Sequence, residues 1–184
     1  PKQTDHAIKA QYAKDLPTVE EKCPFCVGNE STTPPSILQY PSIEPTASPG
    51  AWGLRVVQNK FPAVSPFSVD GSNAQDFHDF DTFRDDSVVN NELPAAGHHE
   101  VCIESPHHNH LAALGSWEQV QLLVRAWRER SLALSEDKLV RHVMLFKNQG
   151  GAAGASLLHP HAQIVGLPII PSHVGVRLQT ARNF

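Results

Sequence analysis

Four segments of the chain have the hydrophobic patterns of β-strands: residues 53–57, 99–104, 139–146 and 161–167. The first is rich in aliphatic and β-branched side chains, and the second alternates apolar with polar residues, as a strand with one buried face does. The last ends at Pro168, because proline cannot donate a hydrogen bond to a neighbouring strand. The pattern therefore predicts four strands.

Residues 116–134 are predicted to form the main helix. Ser116 can cap its first turn, and Gln119, three residues later, completes the pattern of a capping box. Large apolar residues recur at helical spacing, and we expect them to form the side that faces the core. They are Trp117, Val120, Val124 and Trp127.

The remaining segments have the composition of loops. Residues 1–50 are rich in proline and polar residues and predict loops and short turns. Residues 65–94 are polar and acidic and predict a long loop, and the overlapping segment 70–95 is interpreted as an insertion. Strands followed by one helix and further strands, with short connections, predict an α+β domain in which one main helix packs on an antiparallel sheet.

Composition narrows the class of protein. The chain has 184 residues, of which 40% are hydrophobic, so it can bury a core. A net charge of -4 argues against nucleic acid and anionic membranes as partners, and no apolar run reaches the roughly 18 residues that a membrane span needs. Three cysteines cannot form a disulfide framework. The first residue is proline rather than methionine, so we expect a piece of a longer protein.

The cysteine pair is the first candidate for chemistry. Cys23 and Cys26 have the C-x2-C spacing that supplies two thiolates to a structural zinc site. A redox pair is the alternative, but the following helix of a thioredoxin-like motif is missing. Two more ligands must come from histidine, and the sequence pattern does not show which two histidines they are. The candidates are His98, His99, His107, His108, His110, His159 and His161.

A glycine-rich loop at residues 148–156 precedes a second group of polar residues. Such a loop lets backbone N–H groups approach phosphate oxygens, although the lysine of a P-loop is absent. On a strand, His159, His161 and Gln163 project from one face. Burying three unpaired polar side chains costs about 1–3 kcal/mol each. A functional site is therefore favoured, with an exposed edge strand as the alternative.

Four stretches carry a family resemblance: residues 23–30, 55–63, 99–108 and 146–163. In this order they resemble the N-terminal half of the galactose-1-phosphate uridylyltransferase family, the transferase branch of the histidine-triad superfamily, and its relative ADP-glucose phosphorylase. The resemblance implies a histidine-triad-like domain. These enzymes are about twice as long and have two such halves. Residues 1–184 are thus expected to be the catalytic half, without the C-terminal half.

The resemblance also implies roles for individual residues. It gives Cys23, Cys26, His108 and His159 as ligands of a structural Zn²⁺. It makes His161 the nucleophile, whose other ring nitrogen donates to the backbone carbonyl of His159. Gln163 stands where histidine-triad hydrolases have a third histidine, and it stabilises the nucleotidyl-enzyme. The residues implied to bind substrate are Asn59, Phe61, Asn148, Gly154, Ser156 and Gln163, whereas Arg55 fits either a structural role or a phosphate contact.

The resulting hypothesis is a transferase that moves UMP from UDP-glucose to galactose 1-phosphate by a ping-pong reaction. Its partners would be a nucleotide sugar and a sugar 1-phosphate, and the full-length enzyme would be a cytoplasmic homodimer. The first alternative is ADP-glucose phosphorylase, which passes an adenylyl group to phosphate or sulfate. The second is a non-catalytic binding module that zinc stabilises.

Overall fold

The computed structural model describes residues 15–66, 95–150 and 153–183. Five antiparallel strands form one sheet in the order β1-β2-β3-β5-β4. This arrangement confirms the predicted α+β class, with a main helix on an antiparallel sheet. The strands are β1 (Ser36–Pro41), β2 (Trp52–Gln58), β3 (His98–Ile103), β4 (His142–Phe146) and β5 (His161–Leu167), and the helices are α1 (Trp117–Ser135) and α2 (Ser172–Arg182).

The three central strands divide their side chains between two faces of the sheet. On one face, Val56 of β2 is paired with Cys102 of β3, and Cys102 with Ala162 of β5. These fully buried residues belong to the main core, under α1. On the opposite face a smaller apolar cluster is formed by Trp52, Val57, Val101 and Ile103, with Phe25 packed against it. Both faces are therefore covered, and β2 and β3 are buried along most of their length.

Helix α1 packs through a different face from the one we predicted. Trp117 and Val124 are 69% and 55% exposed. The buried residues of the helix are Leu123, Ala126 and Leu134, and Trp127 is partly buried beside them. At about 100° per residue, the packed face is rotated by roughly a quarter turn from the predicted one. The prediction was wrong because this helix has apolar residues on both faces, so periodicity alone did not identify the packed one.

The start of α1 forms only half of the predicted capping box. The Ser116 hydroxyl accepts a hydrogen bond from the backbone N–H of Gln119 at 3.2 Å. The Gln119 side chain does not return to Ser116; it donates to the carbonyl oxygens of Gly53 at 2.9 Å and Glu104 at 2.6 Å. Gln119 therefore attaches the first turn of the helix to β2 and to the end of β3.

Two elements were not predicted. Strand β1 lies in the segment that we expected to be loop; it is an edge strand in which only Tyr40 is buried, so its hydrophobic signal is weak. Helix α2 follows Pro171 and has no buried residue. The predicted insertion falls almost entirely on residues 67–94, outside the described residues. Among the residues that are described, no helix is both long and apolar enough to cross a bilayer.

A buried ion pair joins α1 to the centre of the sheet, and its loss is expected to destabilise the fold. Arg130 donates to both carboxylate oxygens of Glu100 at 2.8 and 2.7 Å, and the Glu100 side chain is only 4% exposed. Replacing Arg130 with Met should lower the free energy of unfolding in urea by about 3–5 kcal/mol, because a buried carboxylate is left unpaired. Arg128→Met, on the exposed side of the same helix, is the matched control, and equal stability of the two variants would contradict this prediction.

Candidate active site and metal centre

Strand β5 and the residues before it carry the first group of site residues. His161 lies opposite Ile103 of β3, and Gln163 lies opposite Val101. Because side chains alternate along a strand, both project from the face opposite α1, while Ala162 between them joins the main core. The strand therefore separates the candidate chemistry from the core.

Four residues from three separate parts of the chain meet at the start of β5. All are buried, and their ligand atoms lie within 4.8 Å of one another. Cys26 Sγ is 3.4 Å from Nδ1 of His108 and 3.5 Å from Nδ1 of His159. A tight turn, in which the N–H of Cys26 donates to the carbonyl of Cys23 at 3.2 Å, brings the two thiols together. These residues form a closed Cys2His2 group that can bind a metal ion.

The hydrogen bonds around this group suit a metal ion. His159 donates from Nε2 to the carbonyl of Ser105 at 2.8 Å, which leaves Nδ1 unprotonated and directed at the thiols. The backbone N–H of Glu20 donates to Cys26 Sγ at 3.3 Å, a contact that favours a thiolate. Burial lowers the pKa of His159 to about 4 and raises that of Cys26 to about 11. The imidazole is therefore neutral, and a cation would favour deprotonation of the thiol.

Three of the other histidines that were candidate ligands, His98, His107 and His110, lie outside the metal group. His98 pairs with Asp137 at 2.7 Å, and His107 pairs with Glu44 at 2.6 Å. His110 is outside the metal group, and burial lowers its pKa to about 4. Of the three histidines at positions 107, 108 and 110, the tertiary structure therefore places only His108 in the metal group.

His161 is held so that only one ring nitrogen is engaged. Its Nδ1–H donates to the carbonyl of His159 at 2.8 Å, which is the bond that we expected from the resemblance. Nε2 has no hydrogen-bond partner among residues 15–66, 95–150 and 153–183. The ring of Phe25 contacts His161 edge-on, with 5.3 Å between ring centres. In the neutral form of the imidazole, this bond keeps the proton on Nδ1 and leaves the lone pair on Nε2.

A cleft of about 440 Å³ opens beside His161. Its walls combine apolar side chains with a similar number of polar ones. Of the predicted substrate-binding residues, four line it and two, Asn148 and Gly154, do not. The four are Asn59, Phe61, Ser156 and Gln163, and Lys60 adds a positive charge.

The loop before His159 has two glycines in conformations that disfavour other residues. Gly150 and Gly154 have φ of 78° and 82°, in the left-handed region. The N–H of Ala155 donates to the carbonyl of Gly150 at 3.2 Å and closes the turn. The turn leads into Ser156 and Leu157 at the wall of the cleft.

Arg55 has structural partners. It is buried, and its guanidinium donates to Ser36 Oγ at 2.9 Å and Thr33 Oγ1 at 3.2 Å. The guanidinium also lies 5.4 Å from the ring centre of Trp52. Arg55 therefore attaches the segment after the cysteine pair to β2, which favours the structural interpretation over a phosphate contact.

Sequence reasoning missed two residues next to the site. Phe25 lies between the two cysteines and contacts both His159 and His161, and its apolar character beside a metal motif was an available signal. His99 was considered only as a metal ligand, whereas it lies 2.7 Å from Gln163. No spacing in the sequence indicates this contact, because the two residues lie on different strands.

Comparison with known proteins matches this chain to the family that its sequence motifs resemble. Residues 2–171 match the family described as galactose-1-phosphate uridyl transferase, N-terminal domain. ADP-glucose phosphorylase of Arabidopsis thaliana is 29% identical over 164 residues, which are 88% of this chain and 42% of that protein. Galactose-1-phosphate uridylyltransferase of Thermotoga maritima is 33% identical over 85 residues, 46% of this chain and 27% of that protein.

A solved structure extends the likeness to the fold. The crystal structure of an ADP-glucose phosphorylase from Arabidopsis thaliana with bound ADP-glucose has a TM-score of 0.66 and 26% identity. The match covers 94% of this chain and 48% of that one. The chain therefore spans less than half the length of these relatives.

Proposed function

Because the chain belongs to the galactose-1-phosphate uridyl transferase family, we propose that it is the nucleotide-transferring half of a nucleotidyltransferase. The enzyme moves a uridylyl group from UDP-glucose to a hexose 1-phosphate, galactose 1-phosphate, through a covalent intermediate on His161. The full-length protein adds a C-terminal half and forms a homodimer.

The geometry of His161 is the observation that carries this proposal. Its Nδ1–H is bound to the carbonyl of His159 at 2.8 Å, and the residue lines the cleft. A neutral imidazole with an unprotonated nitrogen is a competent nucleophile without a separate base. Covalent catalysis divides the transfer into two displacements, which fits a ping-pong reaction.

The chemical balance of the two displacements is simple. In the first, the lone pair of His161 Nε2 forms a bond to the α-phosphorus, and the bond from that phosphorus to the bridging oxygen breaks. The sugar 1-phosphate leaves with that oxygen. In the second, a phosphate oxygen of the acceptor attacks the same phosphorus, the phosphorus–nitrogen bond breaks, and His161 returns to its neutral form.

The cleft supplies contacts for a nucleotide. The Phe61 ring is 83% exposed at the cleft and offers a surface for base stacking, while Asn59 beside it contacts the ribose or the base. Ser156 and Gln163 donate to phosphate oxygens, and Lys60 balances negative charge. Asn148 and Gly154 belong to the glycine-rich turn, and they are proposed to contact the nucleotide or its phosphates when it is bound.

The Cys2His2 group is proposed to hold a structural Zn²⁺ through Cys23, Cys26, His108 and His159. When bound, this ion supplies cross-linking rather than chemistry, since all four of its ligands come from the protein. His159 belongs to this group, and its carbonyl holds the His161 ring. The metal centre therefore supports the nucleophile through the backbone.

A second candidate is ADP-glucose phosphorylase, with phosphate or sulfate as the acceptor. The ADP-glucose phosphorylase of Arabidopsis thaliana matches 88% of this chain, against 46% for the Thermotoga maritima uridylyltransferase. The two candidates share every step at His161 and differ only in the base and the acceptor.

The nucleotide is identified by a trapping experiment with separate donors. We expect incubation with UDP-glucose to add one uridylyl group to the chain, because Gln163 cannot act as an acid for hydrolysis and the intermediate accumulates. The sample is quenched with denaturant at alkaline pH, since a phosphorus–nitrogen bond is labile in acid, and its intact mass is measured. An adenylyl adduct from ADP-glucose alone would establish the phosphorylase, and no adduct with either donor would favour a non-catalytic module.

A further inference from the structure

His99 connects the loop after β2 to Gln163 across the site. It lies on β3 and is mostly buried. The backbone N–H of Ala63 donates to its Nδ1 at 2.9 Å. Its Nε2 is 2.7 Å from Oε1 of Gln163, which lines the cleft. Both ring nitrogens are therefore engaged, on opposite sides of the ring.

The backbone N–H fixes the direction of this hydrogen-bond chain. An amide N–H can only donate, so Nδ1 of His99 must accept and carries no proton. The proton of the neutral ring is then on Nε2, which donates to Gln163 Oε1. With its oxygen occupied, Gln163 directs its NH₂ group elsewhere, and that group has no acceptor in the described part of the chain. The amide thus offers a donor to the cleft.

Asn59 is oriented in the same sense. The backbone N–H of Phe61 donates to Asn59 Oδ1 at 2.9 Å, so the oxygen of this side chain is also held by a protein donor. Asn59 Nδ2 lies 3.0 Å from Nε2 of His99, but that nitrogen carries the proton and cannot accept. Two amides that line the cleft therefore have their oxygens held by protein donors. The NH₂ group of Asn59 lies against the His99 ring, whereas that of Gln163 is the one available to a ligand.

We propose that His99 is a positioning residue that fixes the Gln163 amide with its NH₂ group facing the phosphate of the bound nucleotide. A phosphate accepts hydrogen bonds and donates none when ionised, so a reversed amide would direct its oxygen at the anion. His99 prevents that reversal by occupying the oxygen. This role rests on the proposed function, because it assigns the phosphate of the nucleotide to the region beside Gln163.

A matched pair of variants separates positioning from packing. Glutamine places a donor nitrogen near the position of histidine Nε2, and methionine has a similar length without a donor. His99→Met and His99→Gln both lose the acceptor for Ala63 N–H. Only His99→Met also loses the donor to Gln163, so a difference between the two variants reports on the bond to the amide.

The readout is the binding of UMP compared with that of uridine, and of AMP compared with adenosine, by titration calorimetry on the full 184-residue chain. We expect His99→Met to weaken binding of the matching monophosphate by about 10- to 100-fold, because the amide can now reverse. Binding of the nucleoside should change little, and His99→Gln should recover most of the loss. In a Gln163→Ala background, His99→Met should have no further effect.

The outcomes distinguish this inference from the proposed function. If the parent chain binds UMP or AMP in the expected pattern but forms no adduct, the nucleotidyl-transfer proposal fails and the role of His99 stands. Equal weakening by His99→Met and His99→Gln would overturn the positioning role. So would equal weakening of nucleoside and monophosphate, an undiminished effect in the Gln163→Ala background, or a parent chain that binds no monophosphate more tightly than its nucleoside.

Discussion

Replacing His161 with Asn is expected to abolish the covalent nucleotidyl adduct while leaving the fold intact. The asparagine side-chain nitrogen lies near the position of histidine Nδ1 and can still donate to the carbonyl of His159, a bond of 2.8 Å in the parent. The group at Nε2 is missing, so no atom remains to attack phosphorus. We expect the rate of adduct formation to fall by on the order of 10⁴-fold or more, since removal of a nucleophile has effects of that size in other enzymes.

The control for this variant is His173→Ala. His173 is exposed on α2 and is not among the residues that line the cleft, so its loss should not change the rate. The adduct formed by the parent chain should be lost in acid and survive in base, as expected for a phosphorus–nitrogen bond. Adduct formation by His161→Asn at the parental rate would show that the nucleophile is another residue.

Replacing His108 with Ala is expected to remove a stoichiometric zinc ion and to lower thermal stability strongly. His108 Nδ1 lies 3.4 Å from Cys26 Sγ in a group of four buried ligand residues. Structural zinc sites in small domains bind with about 10–16 kcal/mol, and much of that energy stabilises the folded state. Metal content per chain by elemental analysis and the midpoint of thermal unfolding are the two measurements.

The adjacent histidine is the control for the metal site. His107 pairs with Glu44 at 2.6 Å and is outside the metal group, so His107→Ala should keep its zinc and change stability little. Cys26→Ala and Cys102→Ala form a second matched pair. Both remove a buried thiol, but only Cys26 belongs to the metal group. Stoichiometric zinc in purified His108→Ala or Cys26→Ala would contradict the proposed ligand set.

The two experiments examine sites that share a residue. His159 belongs to the metal group through its side chain and holds His161 through its carbonyl oxygen. A variant that loses zinc should therefore also form the adduct more slowly, because the segment that carries this carbonyl is less constrained. His161→Asn, in contrast, should keep its zinc. This asymmetry separates loss of the nucleophile from loss of its support.

The sequence predicted most of the regular structure at the centre of the sheet. Strand β5 was predicted with the bounds that it has, because Pro160 and Pro168 delimit it. Strand β4 begins at His142, three residues later than predicted. The edge strand β1 was missed because its residues are mostly exposed and lack an alternating pattern. Local signals were thus sufficient for the buried strands and for the mostly apolar edge strand β4, and insufficient for the edge strand β1.

Local sequence patterns were enough to predict the turn that joins Cys23 to Cys26, the cap of α1 at Ser116, and the strand that carries His161 and Gln163. Which distant residues complete the site became visible in the folded chain alone. Cys26 contacts histidines that are 82 and 133 positions away, and His99 reaches Gln163 over 64 positions. Without the family resemblance, seven histidines remained candidate zinc ligands. Residue spacing predicts contacts within one strand or turn, but not contacts between strands. The strand order of the sheet, which brings β3 beside β5, placed His99 against Gln163, and the packing of α1 selected which of its two apolar faces is buried.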